Sequence, residues 1–93
     1  SRGLGDVYKR QNSFISAGCR IDGTVRGSTL SRDVVVESGA YVANSIIMQG
    51  CVIKRCARVE NAIVDKNNVI EAGTVMTGTP DNVLVVPKVA LEN

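Results

Sequence analysis

Aliphatic residues recur with a period of 17 between residues 30 and 76. They form three triplets, with steps of six and six inside each triplet and five residues leading to the next. The triplets are Leu30, Val36 and Val42; Ile47, Ile53 and Val59; and Val64, Ile70 and Met76. A short regular repeat is typical of a solenoid, and hexapeptide spacing supplies one short strand and one corner per unit. The pattern therefore predicts an all-β fold, a left-handed parallel β-helix of about four triangular coils.

A second set of positions lies two residues before each aliphatic residue and is mostly small. Side chains alternate between the two faces of a strand, so these residues also point inward. They are Ser28, Val34, Ala40, Ser45, Cys51, Ala57, Ala62, Asn68 and Thr74. Small side chains are what the crowded interior of a triangular coil requires.

The predicted corners carry residues that tolerate a left-handed backbone. Glycine and asparagine adopt this conformation at the least cost. The three corner series are Gly27, Asn44, Asn61 and Gly78; Asp33, Gly50 and Asn67; and Gly39, Cys56 and Gly73. Cys56 is the exception, and we expect a mildly strained turn there.

The repeat also suggests how the chain is divided. Residues 1–11 (SRGLGDVYKRQ) do not share the period of the coils and are predicted to be a non-native or linker-like lead-in. They resemble a translated adaptor peptide of shotgun-assembled reading frames; the alternative is a polar lead-in from a preceding domain. Residues 12–78 form the predicted β-helix, and residues 79–93 a C-terminal cap or tail in which Pro87 ends an extended apolar run.

The first coil is predicted to be shorter than the others. Only four residues separate Ile21 from Val25, instead of six, so one of its corners should be tighter. An alternative register would point Cys19 inward and turn Ile21 outward. The pattern leaves both registers open.

Several outward positions are apolar, which suggests covered faces. One face presents Val35, Val52 and Val69, and a second presents Ile46 and Ile63. We expect these five residues to be interface stripes, covered by a sister domain or by another subunit. The alternative is plain strand chemistry, because branched residues favour strands wherever they point.

Composition restricts the chemistry. The chain has 93 residues, 44% hydrophobic and 3% aromatic, a net charge of +2 and three cysteines without CxxC spacing. This balance favours neither nucleic acid nor a membrane as partner, and no apolar run approaches the roughly 20 residues of a membrane span. The chain contains no histidine. An acyltransferase of the hexapeptide type would therefore lack its histidine base, and a histidine-based metal site would lack its ligands. The sequence predicts no catalytic residue and no metal site.

The basic residues at the corners are better candidates for a binding site than the acidic residues are. Cations that converge at a domain junction bind phosphate groups well. The basic residues in question are Arg26, Arg32, Lys54, Arg55, Arg58 and Lys66. The alternative for each of them is ordinary solvated surface charge.

Four segments carry a family resemblance. They are SxxxxGCxIxGxV at 13–25, NSIIM at 44–48, NAIVDKNxxIEAGT at 61–74 and the ending GTPDNVLVVPK. Together they resemble the C-terminal β-helix of glucose-1-phosphate adenylyltransferase (ADP-glucose pyrophosphorylase). The ending is similar to the regulatory-type bacterial subunit.

The resemblance implies a role beside an enzyme. The family joins ATP and glucose 1-phosphate to give ADP-glucose and pyrophosphate, in glycogen biosynthesis. A cytoplasmic setting is expected separately, because the three cysteines do not suggest a disulfide framework. Its Mg²⁺-dependent catalytic domain precedes the β-helix, so no catalytic residue is carried over and no cofactor is expected in this fragment. The implied partners are that missing domain, further subunits of a homo- or hetero-tetramer, and a phosphorylated effector. Lys66 matches a basic position linked to effector response, and Arg58 and Arg26 are further candidates.

Two alternatives remain open from the sequence. The chain is also consistent with a stand-alone hexapeptide scaffold or binding module. It is consistent as well with the β-helix of another sugar-phosphate nucleotidyltransferase, because substrate choice would lie in the missing domain.

Overall fold

The computed structural model describes residues 10–89, which form short β-strands and contain no helix. Each described strand is two or three residues long because a corner interrupts the chain about every six residues. The strands are β1 (Arg10–Gln11), β2 (Phe14–Ile15), β3 (Arg20–Ile21), β4 (Thr24–Arg26), β5 (Thr29–Leu30), β6 (Val35–Val36), β7 (Tyr41–Ala43), β8 (Ile46–Ile47), β9 (Val52–Ile53), β10 (Arg58–Glu60), β11 (Ala62–Val64), β12 (Val69–Ile70), β13 (Val75–Thr77) and β14 (Leu84–Val86).

The strands stack into three parallel sheets, one for each face of a triangular prism. Sheet A has the order β1-β4-β7-β10-β13, sheet B the order β14-β11-β8-β5-β2, and sheet C the order β12-β9-β6-β3. The pairing between the named strands is parallel, as in Val42 opposite Val59 on sheet A. The predicted all-β parallel β-helix of about four coils is confirmed.

The core is a stack of the two inward ladders that the sequence predicts. The large aliphatic residues of the inner coils, such as Leu30, Ile47 and Val64, are completely buried. The small ladder is buried as well, except for half-buried Thr74 in the last full coil. Each buried aliphatic side chain contributes roughly 1.5–3 kcal/mol through removal of apolar surface from water.

The first coil is shorter at the corner between sheets C and A. Strands β3 and β6 pair with a 15-residue offset, Ile21 opposite Val36, whereas β4 and β7 pair with a 17-residue offset. The amides of Asp22 and Gly23 both donate to the Val36 carbonyl, at 2.8 and 3.2 Å. A Cβ on Gly23 would lie 2.5 Å from the Ala40 carbonyl oxygen, so the tight corner requires glycine. Ile21 is buried, and the register that turns it outward is wrong.

The predicted corners have positive φ angles, with Gly78 as the exception. Cys56 has a φ of 60°, in line with its glycine neighbours in the same series. Glycine is required at position 78 for a different reason, because there is no room for a side chain. A Cβ there would lie 2.5 Å from both the Asn61 carbonyl oxygen and the Leu84 amide nitrogen, where the chain leaves the regular coil.

A ladder of serine hydroxyls braces the corner between sheets A and B. The Ser45 hydroxyl donates to the Ala43 carbonyl at 2.8 Å and accepts from the Ala62 amide at 3.1 Å, one coil further on. The Ser28 hydroxyl likewise accepts from the Ser45 amide at 3.1 Å, and the Ser13 hydroxyl from the Ser28 amide at 3.1 Å. The small inward serines therefore replace direct strand-to-strand hydrogen bonds at this corner.

The coil path extends beyond both ends of the predicted repeat. Arg10–Gln11 pairs with β4, and Leu84–Val86 pairs with β11 at a 22-residue offset. The extra residues before β14 form a loop closed by an antiparallel bridge between Thr79 and Asn82. Buried Asn68 fixes the exit of β14, because its Nδ2 donates to the Pro87 carbonyl at 2.9 Å. The rest of the predicted lead-in and residues 90–93 lie outside the described residues.

Candidate interface and effector-binding residues

Sheet B presents an apolar outward row, named here the sheet B stripe: Phe14, Thr29, Ile46, Ile63 and Val85. The strand register aligns the five residues one above another. Phe14 is 80% exposed and Val85 61% exposed, while Ile63 is half-buried. The predicted pair Ile46 and Ile63 is thus adjacent in space, and its role as an interface stays a prediction.

Sequence reasoning missed the two ends of this stripe. Phe14 and Val85 are displaced from the 17-residue period, because the first coil is two residues short and the last contains an inserted loop. A search for offsets of 15 and 22 residues would have found both. The structure extends the stripe from two residues to the full length of the described prism.

Sheet C carries the second predicted row, Val35, Val52 and Val69. The three valines are in register on neighbouring strands, and Arg20 continues the row at the first coil. Val35 and Val52 are half-buried and Val69 is exposed. The alignment agrees with the predicted interface row, whose partner stays a prediction.

Sheet A is the most polar of the three faces and contains Arg58. The Arg58 guanidinium lies over the Tyr41 ring, 4.6 Å from its centroid, and its Nε donates to the Glu60 carboxylate. Both contacts fix the side chain, and the carboxylate offsets its charge. Arg58 is therefore a less available phosphate ligand than a cation without a partner.

The three effector candidates lie on different parts of the surface. Lys66 is exposed in the turn between sheets B and C, where its backbone amide donates to the Asp65 carboxylate at 2.7 Å. Arg26 ends β4 and Arg58 begins β10, so both belong to sheet A. In a triangular prism the corner between sheets B and C is opposite sheet A. One chain therefore does not bring Lys66 together with Arg26 or Arg58, and their effector role stays a prediction.

The tight first corner opens a shallow groove of about 500 Å³. Its charged lining consists of two arginines and two carboxylates. Arg20 Nε donates to Asp22 Oδ2 at 3.1 Å, whereas Glu37 Oε1 accepts from the backbone amide of Arg55 at 3.0 Å. The formal charges of the four side chains cancel, so the groove has no net charge that would favour an anion.

Residues 10–89 offer no catalytic constellation and no grouping of three metal-ligating side chains. Cys51 is buried, and desolvation raises the pKa of its thiol above the ordinary value of 9.0. Its Sγ donates to the Asp65 carbonyl at 2.9 Å, which is a structural role. The same residues include no helix long and apolar enough to cross a membrane.

Comparison with known proteins identifies the family. Residues 4–82 match the family described as "GlmU-like, C-terminal hexapeptide". The chain belongs to this family. Hexapeptide repeats fit the left-handed form of the β-helix, in agreement with the predicted fold class.

Several curated relatives of this hexapeptide domain share a name. The chain is 52% identical over 67 residues to a glucose-1-phosphate adenylyltransferase of Corynebacterium jeikeium, a match that covers 71% of this chain and 16% of the relative. It is 41% identical over 73 residues to the proteins of that name from Bacillus thuringiensis and Bacillus anthracis, covering 78% of this chain and 19% of each relative. The resemblance found in the sequence is confirmed. The matched region spans less than a fifth of each relative, and no solved structure matches the chain.

Proposed function

We propose that the chain is the C-terminal support and effector-response domain of a cytoplasmic glucose-1-phosphate adenylyltransferase. The full polypeptide would convert ATP and glucose 1-phosphate into ADP-glucose and pyrophosphate for glycogen biosynthesis. The observation that carries the proposal is the 52% identity to an enzyme of this name over 71% of the chain. Coils without histidine, and without a cluster of three metal-ligating side chains among the described residues, fit a domain that serves an active site located elsewhere in the polypeptide.

The chain's own contribution is then mechanical and electrostatic. The stacked core provides a rigid prism, and its apolar rows provide flat surfaces for the remaining domain and for the other subunits of a tetramer. Lys66 supplies an exposed cation at the corner between sheets B and C. Arg32 lies on the same corner two coils away, since the Gly50 amide donates to the Arg32 carbonyl and the Asn67 amide to the Gln49 carbonyl. Two coil spacings are about 10 Å, a distance that one bisphosphate can bridge.

The test of the effector role is Lys66→Ala in the full-length enzyme. ADP-glucose formation is measured while phosphorylated sugars and inorganic phosphate are titrated. Loss of one charge-assisted phosphate contact predicts an effector concentration for half-maximal response about tenfold higher. Lys54→Ala is the control, because Lys54 lies on another corner and pairs with Glu71 at 3.5 Å. An unaltered response of the Lys66 variant, or an equal change in both variants, would remove Lys66 from the site.

A second candidate is a nucleotidyltransferase for a different sugar phosphate. The family description names GlmU-like proteins in general, which favours keeping this candidate. Substrate panels distinguish the two functions. Turnover of ATP with glucose 1-phosphate supports the first, and turnover only with another nucleotide and sugar phosphate supports the second.

A further inference from the structure

The groove beside the tight first corner interrupts the otherwise regular surface of the coils. It exists because β3 and β6 pair with a 15-residue offset, so the corner that stacks on Glu37 and Ser38 is two residues short. Its volume of about 500 Å³ lies within the range of small-molecule sites. The lining consists of Arg20, Asp22, Val35, Glu37, Ser38 and Arg55.

Two of the four charged side chains in this lining are paired with each other, and two are not. Arg20 Nε donates to Asp22 Oδ2 at 3.1 Å. Glu37 uses one carboxylate oxygen to accept from the backbone amide of Arg55, at 3.0 Å, and this contact neutralises neither side chain. The Arg55 guanidinium makes no ion pair with any residue in the range 10–89. Within the described residues the groove therefore holds one unpaired cation and one unpaired carboxylate.

The unpaired charges of Glu37 and Arg55 are close to each other because of that same hydrogen bond. Since Glu37 Oε1 lies 3.0 Å from the Arg55 backbone nitrogen, the carboxylate is within one side-chain length of the guanidinium. A simple anion in the groove would also meet the carboxylates of Asp22 and Glu37, and a simple cation would meet two guanidinium groups. Like charges in contact are strongly unfavourable. The ligand that satisfies both groups carries one positive and one negative charge side by side.

We propose that the groove binds a zwitterionic α-amino acid. The ligand carboxylate lies on the Arg55 guanidinium and the ligand ammonium group on Glu37. Both charged groups of an α-amino acid are attached to one carbon atom, which matches the adjacent pair in the groove. Charge-assisted hydrogen bonds are about twice as strong as neutral ones, so this ligand gains more from the site than an uncharged polyol does. Half-buried Val35 supplies an apolar surface for an aliphatic side chain.

This inference goes beyond the proposed function and does not depend on it. It requires the first three coils and no property of a catalytic domain. Measurement of ADP-glucose formation tests the enzyme, whereas measurement of amino-acid binding tests the groove.

Equilibrium dialysis of the full-length polypeptide with radiolabelled L-leucine tests the proposal. Two charge-assisted contacts at an open surface predict a Kd on the order of 1 mM. L-Leucinamide lacks the carboxylate and N-acetyl-L-leucine lacks the ammonium group. Each analogue should compete at least about tenfold more weakly than leucine, because it loses one charged contact. Equal competition by either analogue, or no saturable binding of leucine up to about 20 mM, would overturn the proposal.

Arg55→Ala and Glu37→Gln locate the site while keeping the hydrogen bond between the two residues. That bond uses the Arg55 backbone amide and a side-chain oxygen that glutamine retains. We expect each variant to raise the Kd of leucine about tenfold. Lys54→Ala is the matched control and should leave the Kd unchanged, because Lys54 pairs with Glu71 at 3.5 Å and does not line the groove. Leucine binding that neither groove variant weakens, or an equal loss in Lys54→Ala, would refute the assignment to this groove.

Discussion

Replacing Ser45 by alanine tests whether the serine ladder holds the corner between sheets A and B. The variant loses one buried hydroxyl, which donates to the Ala43 carbonyl of its own coil and accepts from the Ala62 amide of the next coil. The Ala43 carbonyl keeps a second donor, the Asn61 amide at 3.1 Å. The Ala62 amide loses the only partner described for it and lies on a residue that is 1% exposed. An unpaired buried donor costs about 1–3 kcal/mol, so we expect the free energy of unfolding to fall by about 2 kcal/mol.

The ladder itself supplies graded controls. Ser28→Ala should cost a similar amount, because the Ser45 amide would then be unpaired in an equally buried place. Ser13→Ala should cost less than about 1 kcal/mol, since Ser13 is half-buried near the tip and its hydrogen bond with the Ser28 amide is only partly shielded from water. The next position of the ladder, residue 62, is alanine in the native chain, and the loss of a hydroxyl there leaves no amide unpaired. The Leu84 amide, one coil further on, donates directly to the Asn61 carbonyl at 3.0 Å.

Urea unfolding followed by far-ultraviolet circular dichroism measures these differences. The slopes of the transitions must agree among the variants before their free energies are compared. We expect the free energies of unfolding of Ser45→Ala and Ser28→Ala to be similar, and that of Ser13→Ala to be closer to the wild-type value. Equal losses in all three variants would show that side-chain volume, rather than the amide left without a partner, determines the cost.

Two further predictions concern the last coil and the buried Cys51. Asn68→Ala removes the hydrogen bond to the Pro87 carbonyl, so hydrogen exchange at the Asp65 amide, which donates to Val86, should become about fivefold faster. Asn67→Gly, at an exposed corner, should leave that rate unchanged, and equal rates would mean that Asn68 does not hold β14. Cys51 has a raised pKa in the folded state, so its contribution to stability is complete below the unfolded value of 9.0 and is lost as pH rises through the folded value. Between pH 7 and pH 10.5 the unfolding free energy should therefore fall more in the wild type than in Cys51→Ala, and parallel curves would contradict this.

The buried residues were predictable from the sequence because every inward position is subject to the same packing constraint. Val34, Ala57 and Val59 are buried as their spacing predicted, since a one-residue shift would turn each of them to the opposite face. What spacing could not show is the second function of Ser28 and Ser45. Their small volume was predicted, but a hydroxyl that pairs with an amide 17 residues away becomes visible only when the coils are stacked.

The outward residues were harder to predict for a physical reason. An inward residue is constrained by its neighbours above and below, whereas an outward one is constrained only by what covers it. The repeat therefore did not show whether Lys66 and Arg58 act together, and the structure places Lys66 at the corner between sheets B and C and Arg58 on the opposite sheet A. For the same reason, binding sites on a solenoid are expected where the period breaks. In this chain the breaks at the first and last coils place Phe14 and Val85 at the two ends of one uncharged face.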